Sequence, residues 1–84
     1  MKIVIIIPAY NEEAKIGEVV KEAVKYGDVI VVDDGSTDNT SILAKKAGAS
    51  VIKHVKNKGK GAAIKTGIRA IINSGDDVIV LMDG

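Results

Sequence analysis

The chain has 84 residues, a formal charge of +1, 46% apolar residues, 2% aromatic residues and no cysteine. That length bounds it to one small domain with a modest core. It has no global field to collect nucleic acid or an anionic membrane, little aromatic surface for stacking bases, and no disulfide or thiolate metal site.

The apolar run from Lys2 to Ile7 predicts a first strand buried on both faces. It is too short to span a bilayer and lacks the cleavage pattern of a signal peptide, so a cytoplasmic chain is expected. Asn11 is placed to cap a first helix, with Glu12 and Glu13 in its first turn. Ile16, Val19, Val20, Ala23 and Val24 form its apolar stripe, and Gly27 ends it. Val29 to Val32 is a second buried strand. Asp38 to Ala47 is a second helix, capped by Thr37 or Asp38 and stopped at Gly48. Ser50 to Val55 is a third strand, and its Lys53 and His54 suit a sheet edge. A lysine–glycine loop leads into a third helix over Gly61 to Asn73, with Ile64, Ile68, Ile71 and Ile72 along one side. Val78 to Met82 is a fourth strand.

This order predicts an α/β fold: an open, mostly parallel βαβαβαβ sheet with right-handed crossovers and helices on both faces. The expected strand order is 3-2-1-4, which reverses beside the first strand. Sheets of this kind form their ligand crevice there, beyond the carboxyl ends of the strands. Pro8 to Glu12, Asp33 to Asp38 and Asp83 all fall at those ends.

The segment Val31-Val32-Asp33-Asp34-Gly35-Ser36-Thr37-Asp38 carries the most information. Two adjacent carboxylates at the end of a buried strand repel each other and need partners: a metal, the donors of a base, or ribose hydroxyls. Turn and cap chemistry alone is the plainer reading of Asp34 to Asp38. Lys53, Lys56, Lys58, Lys60 and Lys65 read either as a solvated face or as a diphosphate-binding edge. Gly59-Lys60-Gly61-Ala62-Ala63-Ile64-Lys65-Thr66 is not a P-loop, because Ile64 stands where glycine must precede the Lys-Thr pair. It fails the dinucleotide fingerprint at the same residue. A basic loop feeding a helix N-terminus remains, and such an end can hold an anion. The acid spacing fits neither a receiver domain nor a dehalogenase-type phosphatase. Tyr10 packs on a base or covers a helix end, and His54 reads as an exposed edge-strand residue with no ligand partners at suitable spacing.

Four segments, Pro8-Ala9-Tyr10-Asn11-Glu12, Val32 to Asp38, Asn57-Lys58-Gly59-Lys60-Gly61-Ala62-Ala63 and Met82-Asp83-Gly84, together closely resemble glycosyltransferase family 2. Within it they are most similar to the polyprenol-phosphate sugar transferases. The resemblance implies the N-terminal half of a GT-A fold and a UDP- or GDP-sugar donor. By the same resemblance Pro8, Ala9, Tyr10 and Glu12 line the nucleoside. Asp33 or Asp34 accepts from base N–H groups, with Ser36 in the same loop, and Lys60 lies near the diphosphate. Asp83 opens the family's Asp-x-Asp motif and supplies part of a Mg²⁺ or Mn²⁺ site.

The resemblance further implies that residues 1–84 are the nucleotide-sugar-binding part of an inverting transferase. The rest of the metal site, the catalytic base and the acceptor site, with polyprenyl phosphate a possible acceptor, would lie beyond Gly84. No catalytic residue falls within the chain, so the 84 residues alone are expected to be inactive. In the intact protein the site would stand at the cytoplasmic membrane face. A non-catalytic α/β binding or self-association module is the alternative, and strand 78–82 is a flat apolar edge expected to recruit a second copy.

Overall fold

The computed structural model describes residues 2–71, 75 and 77–81. Its elements run β1 (Ile3–Ala9), α1 (Ile16–Ala23), β2 (Asp28–Asp33), α2 (Thr40–Ala47), β3 (Ser50–Lys53), α3 (Lys60–Ile71) and β4 (Asp77–Val80). The four strands form one parallel sheet in the order β3-β2-β1-β4, as the chain order predicts. β-branched residues fill its two inner strands, where both faces are covered.

Alternation along each strand divides the core in two. Ile5, Ile7, Val29 and Val31 face α1 and α2, joining Ile16, Val20, Ala23 and Ala44. Ile6 and Val32 face the opposite way, against Ala63 of α3. α3 lies close to the sheet because Gly67 sits over Ile6; a Cβ at Gly67 would stand 2.6 Å from Ile6 Cγ2.

Element readings are corrected in α1, α2, β3 and α3: α2 starts at Thr40 with Asn39, rather than Thr37 or Asp38, at its N-cap, and β3 ends at Lys53, short of the expected Val55. α1 starts at Ile16, and Asn11 is no cap: it has φ 50°, and Lys15 takes the N-cap position without a side-chain bond. The reason is tertiary, since the backbone N–H groups of residues 11–13 donate to side chains of the next loop. Val24 falls past the end of α1 and is exposed. In α3 the buried positions are the small ones, Ala63 and Gly67, while Ile68 is exposed; close helix–sheet approach selects small side chains over the isoleucine row. Ile72, Asn73 and Met82, included in the expected third helix and fourth strand, lie outside the described residues.

Strand β3 is an edge, as its polarity suggested, and β4 is the other. Among the described residues no helix is long and apolar enough to cross a membrane.

Candidate functional site

The strand register brings three loops to one rim. Ala9 pairs with Asp33 and Asp33 with Lys53, so β1, β2 and β3 end level with one another. The ladder then runs one step further: Asp34 N–H donates to Ala9 O and His54 N–H to Asp33 O, each at 2.8 Å. This row lies at the carboxyl ends of the strands, beside β1, where the strand order reverses.

Among the described residues the adjacent acids share no partner. Alternation continues through them, so Asp33 turns to the α2 side and Asp34 to the α3 side. Asp33 is fully buried and accepts from Ser36 N–H at 2.9 Å and from Ser41 Oγ of α2 at 2.5 Å. Asp34 is also buried, and its Oδ1 accepts from His54 Nδ1 at 2.7 Å and Lys58 N–H at 2.8 Å. Its Oδ2 accepts from Gly59 N–H at 2.8 Å. Burial alone would raise the Asp34 carboxyl, but the bonds from His54, Lys58 and Gly59 outweigh it and hold the group below the ordinary carboxylate value. The repulsion expected between two neighbouring carboxylates is thus relieved by separate sets of donors.

The first and second loops are stitched together. Asn11 N–H donates to Ser36 Oγ at 2.8 Å, Glu12 N–H to Thr40 Oγ1 at 2.9 Å, and Glu13 N–H to Asp38 Oδ2 at 3.2 Å. In return Thr37 N–H donates to Asn11 Oδ1 at 2.9 Å, and Asn39 N–H to Glu13 Oε1 at 3.3 Å. Asp38 also accepts from Thr40 N–H and the Thr40 hydroxyl. Burial raises the Asp38 carboxyl less than these donors lower it, so it too sits below the ordinary value.

Between the first and third loops lies a cavity of about 160 Å³. Pro8, Ala9, Tyr10 and Glu12 line one side of it; Asp34, Asn57, Gly59, Lys60 and Ala63 line the other. Six residues nominated from the sequence, Pro8, Ala9, Tyr10, Glu12, Asp34 and Lys60, therefore meet here. Asp33 and Ser36 do not line the cavity; they hold the acidic loop to α2 and to Asn11. Asp83 lies outside the described residues. Among those residues, no group of three or more His, Cys, Asp or Glu side chains could hold a metal ion, so they do not build a metal centre by themselves.

His54 is the main correction. Far from being an exposed edge residue, it is buried, with Nδ1 on Asp34 and Nε2 on Thr66 Oγ1 at 2.8 Å. Sequence neighbours could not reveal this, because its partners lie 20 and 12 positions away. One signal was available: with strand order 3-2-1-4 and β2 and β3 ending level, the residue after β3 must stand beside the residue after β2. Thr40, fully buried beneath Glu12, was missed in the same way.

The model of Glycosyl transferase family 2 matches residues 4–84. A UDP-N-acetylglucosamine–dolichyl-phosphate N-acetylglucosaminyltransferase from Methanococcus voltae is 37% identical, over 96% of this chain and 40% of its own. A human dolichyl-phosphate beta-glucosyltransferase is 41% identical, over 76% of this chain and 26% of its own. The solved glucosyl-3-phosphoglycerate synthase of Mycobacterium tuberculosis, in complex with Mg²⁺ and UDP, superimposes with a TM-score of 0.81 at 34% identity, over 96% of this chain and 32% of that one. Another structure of that enzyme holds Mn²⁺ with UDP-glucose. The chain thus spans well under half the length of these relatives. Its Rossmann-like sheet is that of the GT-A glycosyltransferases. By the family match along almost its whole length, the chain belongs to glycosyl transferase family 2.

Proposed function

We propose that the chain is the donor-nucleotide-binding part of an inverting sugar transferase that uses a UDP-sugar. The observation that carries this reading is the cavity where Tyr10, Glu12, Asp34 and Lys60 converge at the switch point of the sheet. Ligand pockets commonly run to about 300–1,000 Å³. A cavity of about 160 Å³ suits a base with part of its ribose. The diphosphate would then run outward along the N-terminal turn of α3, where backbone N–H groups, the helix dipole and Lys60 favour negative charge. UDP in the solved relative, with 34% identity over this same region, supports uridine over other bases.

In the whole protein the acceptor oxygen would bond to the anomeric carbon as the bond to the diphosphate breaks, its electron pair leaving with UDP. The dolichyl-phosphate relatives support a polyprenyl phosphate acceptor, and with it a place at the cytoplasmic membrane face. The Mg²⁺ and Mn²⁺ of the solved relative support a divalent cation that neutralises the leaving diphosphate. The described residues do not by themselves make that ion's site. Following amide shifts of the chain while UDP and Mn²⁺ are added tests the reading. Saturable changes at Tyr10, Asp34, Gly59 and Lys60 are expected; changes scattered elsewhere, or none at millimolar UDP, contradict it.

A second reading has an observation in its favour. Val78, Ile79 and Leu81, on or just after edge strand β4, are all more than 40% exposed. Self-association through that edge would make one continuous sheet from two copies. Sedimentation of the chain and of Ile79→Lys tests this: a concentration-dependent dimer abolished by lysine is expected, and a wild-type monomer at high concentration refutes it.

A further inference from the structure

We propose that His54 is a positioning residue that sets which nucleobase Asp34 accepts, by occupying one carboxylate oxygen and leaving a single acceptor position for a base N–H. The proposal rests on the nucleotide reading above and deepens it.

A carboxylate offers about four acceptor positions, two on each oxygen. Asp34 Oδ1 has both filled, by His54 Nδ1 at 2.7 Å and Lys58 N–H at 2.8 Å. Oδ2 has one filled, by Gly59 N–H at 2.8 Å. Among the described residues, these three bonds leave one acceptor position on a carboxylate that borders the cavity. Uracil presents one imide N–H between two carbonyls and matches a single vacancy. Guanine presents two N–H donors side by side and needs both oxygens of a carboxylate free. With Oδ1 saturated, guanine would leave one donor unpaired in a desolvated site, which is costly.

Of the three donors, only His54 is a side chain and so only it can be exchanged without moving the backbone. It is fixed from behind by Thr66 Oγ1 of α3, which lies 2.8 Å from Nε2 and 3.0 Å from Ala62 O. The ring is therefore held between Asp34 and α3 and buried at 8% exposure. Its Nδ1 must be the donor, because an ionised carboxylate has no hydrogen to give.

The two ring contacts can be separated by substitution. In His54→Asn the side-chain amide nitrogen sits where Nδ1 was, keeping the donor to Asp34 and losing Thr66. In His54→Gln it sits where Nε2 was, keeping Thr66 and losing Asp34. UDP and GDP affinities, each with Mn²⁺, are measured by titration calorimetry for the chain and both variants.

The wild-type chain is expected to bind UDP about tenfold or more tighter than GDP, the value of one charge-assisted hydrogen bond. His54→Asn should keep that ratio. His54→Gln should lose about tenfold in UDP affinity and narrow the ratio, since the freed Oδ1 admits a second donor. UDP binding with equal ratios in wild type and His54→Gln, or an equal fall in both variants, would overturn the role of His54 while leaving the nucleotide site intact. Wild type preferring GDP overturns it without any variant, so a misfolded variant cannot shield the proposal. Wild type binding neither nucleotide removes the nucleotide reading itself.

Discussion

Gly35 and Asn57 meet backbone to backbone: a Cβ on Gly35 would stand 2.6 Å from Asn57 N, and Gly35 has φ 80°. The acidic loop can lie against the lysine–glycine loop only because this residue has no side chain. Gly35→Ala must strain the left-handed conformation and push Lys56 and Asn57 away, opening the bonds from Lys58 and Gly59 to Asp34. A loss of about 2–4 kcal/mol in urea denaturation is expected, with weakened UDP binding. Wild-type stability in this variant would show that the two loops are not in contact.

The low-lying Asp34 carboxyl makes a pH prediction of definite sign. Its folded value is below that of the unfolded chain, which is about 3.9 for aspartate. Its contribution is therefore complete above that value and disappears as pH falls through the folded value. Comparing the chain with Asp34→Asn isolates it from Asp38, whose shift has the same direction. The Asp34 contribution to the stability difference between the two proteins should shrink as pH falls below about pH 4. A difference that persists undiminished to about pH 2 would contradict the hydrogen-bonded, ionised Asp34.

Asn11 combines a left-handed backbone with an acceptor for Thr37 N–H at 2.9 Å. Alanine meets neither demand and should cost about 1–2 kcal/mol. Aspartate keeps the acceptor and tolerates the backbone, so Asn11→Asp should lie between Asn11→Ala and wild type. Thermal unfolding of the three proteins checks the order, and an Asn11→Ala protein as stable as wild type contradicts the stitching of the two loops.

Gly67→Ala tests how closely α3 sits on the sheet. Alanine gains about 1 kcal/mol of helix propensity, but its Cβ would stand 2.6 Å from Ile6 Cγ2, on a side chain with no exposed surface. Overpacking of that kind costs about 1–3 kcal/mol. Net destabilisation in urea is expected; a more stable protein would mean that α3 stands further from β1.

Strand order and the carboxyl-end crevice were legible in the sequence because Ile3 to Ile7 and Val29 to Val32 are unbroken β-branched runs separated by helical spacing. Chirality and the switch-point rule then leave few arrangements. Helix starts were less legible. Asn11 has the chemistry of a cap, and only the neighbouring loop shows that Ser36, Thr40 and Asp38 claim the N–H groups a helix start would otherwise use. The acid pair was found, but its division was not: residue types say that two carboxylates are adjacent, while strand alternation sends Asp33 to Ser41 and Asp34 to Gly59. His54 was missed because its meaning resides entirely in its distant partners, Asp34 and Thr66.

Calorimetric titration of UDP with Mn²⁺ into the chain and into Asp34→Ala tests the central claim most directly. Saturable binding by the chain, weakened at least about tenfold in Asp34→Ala while Lys21→Ala on the exposed face of α1 binds as wild type, is the predicted result. Equal affinity in Asp34→Ala, or no heat of binding from the wild-type chain at millimolar UDP, would contradict it.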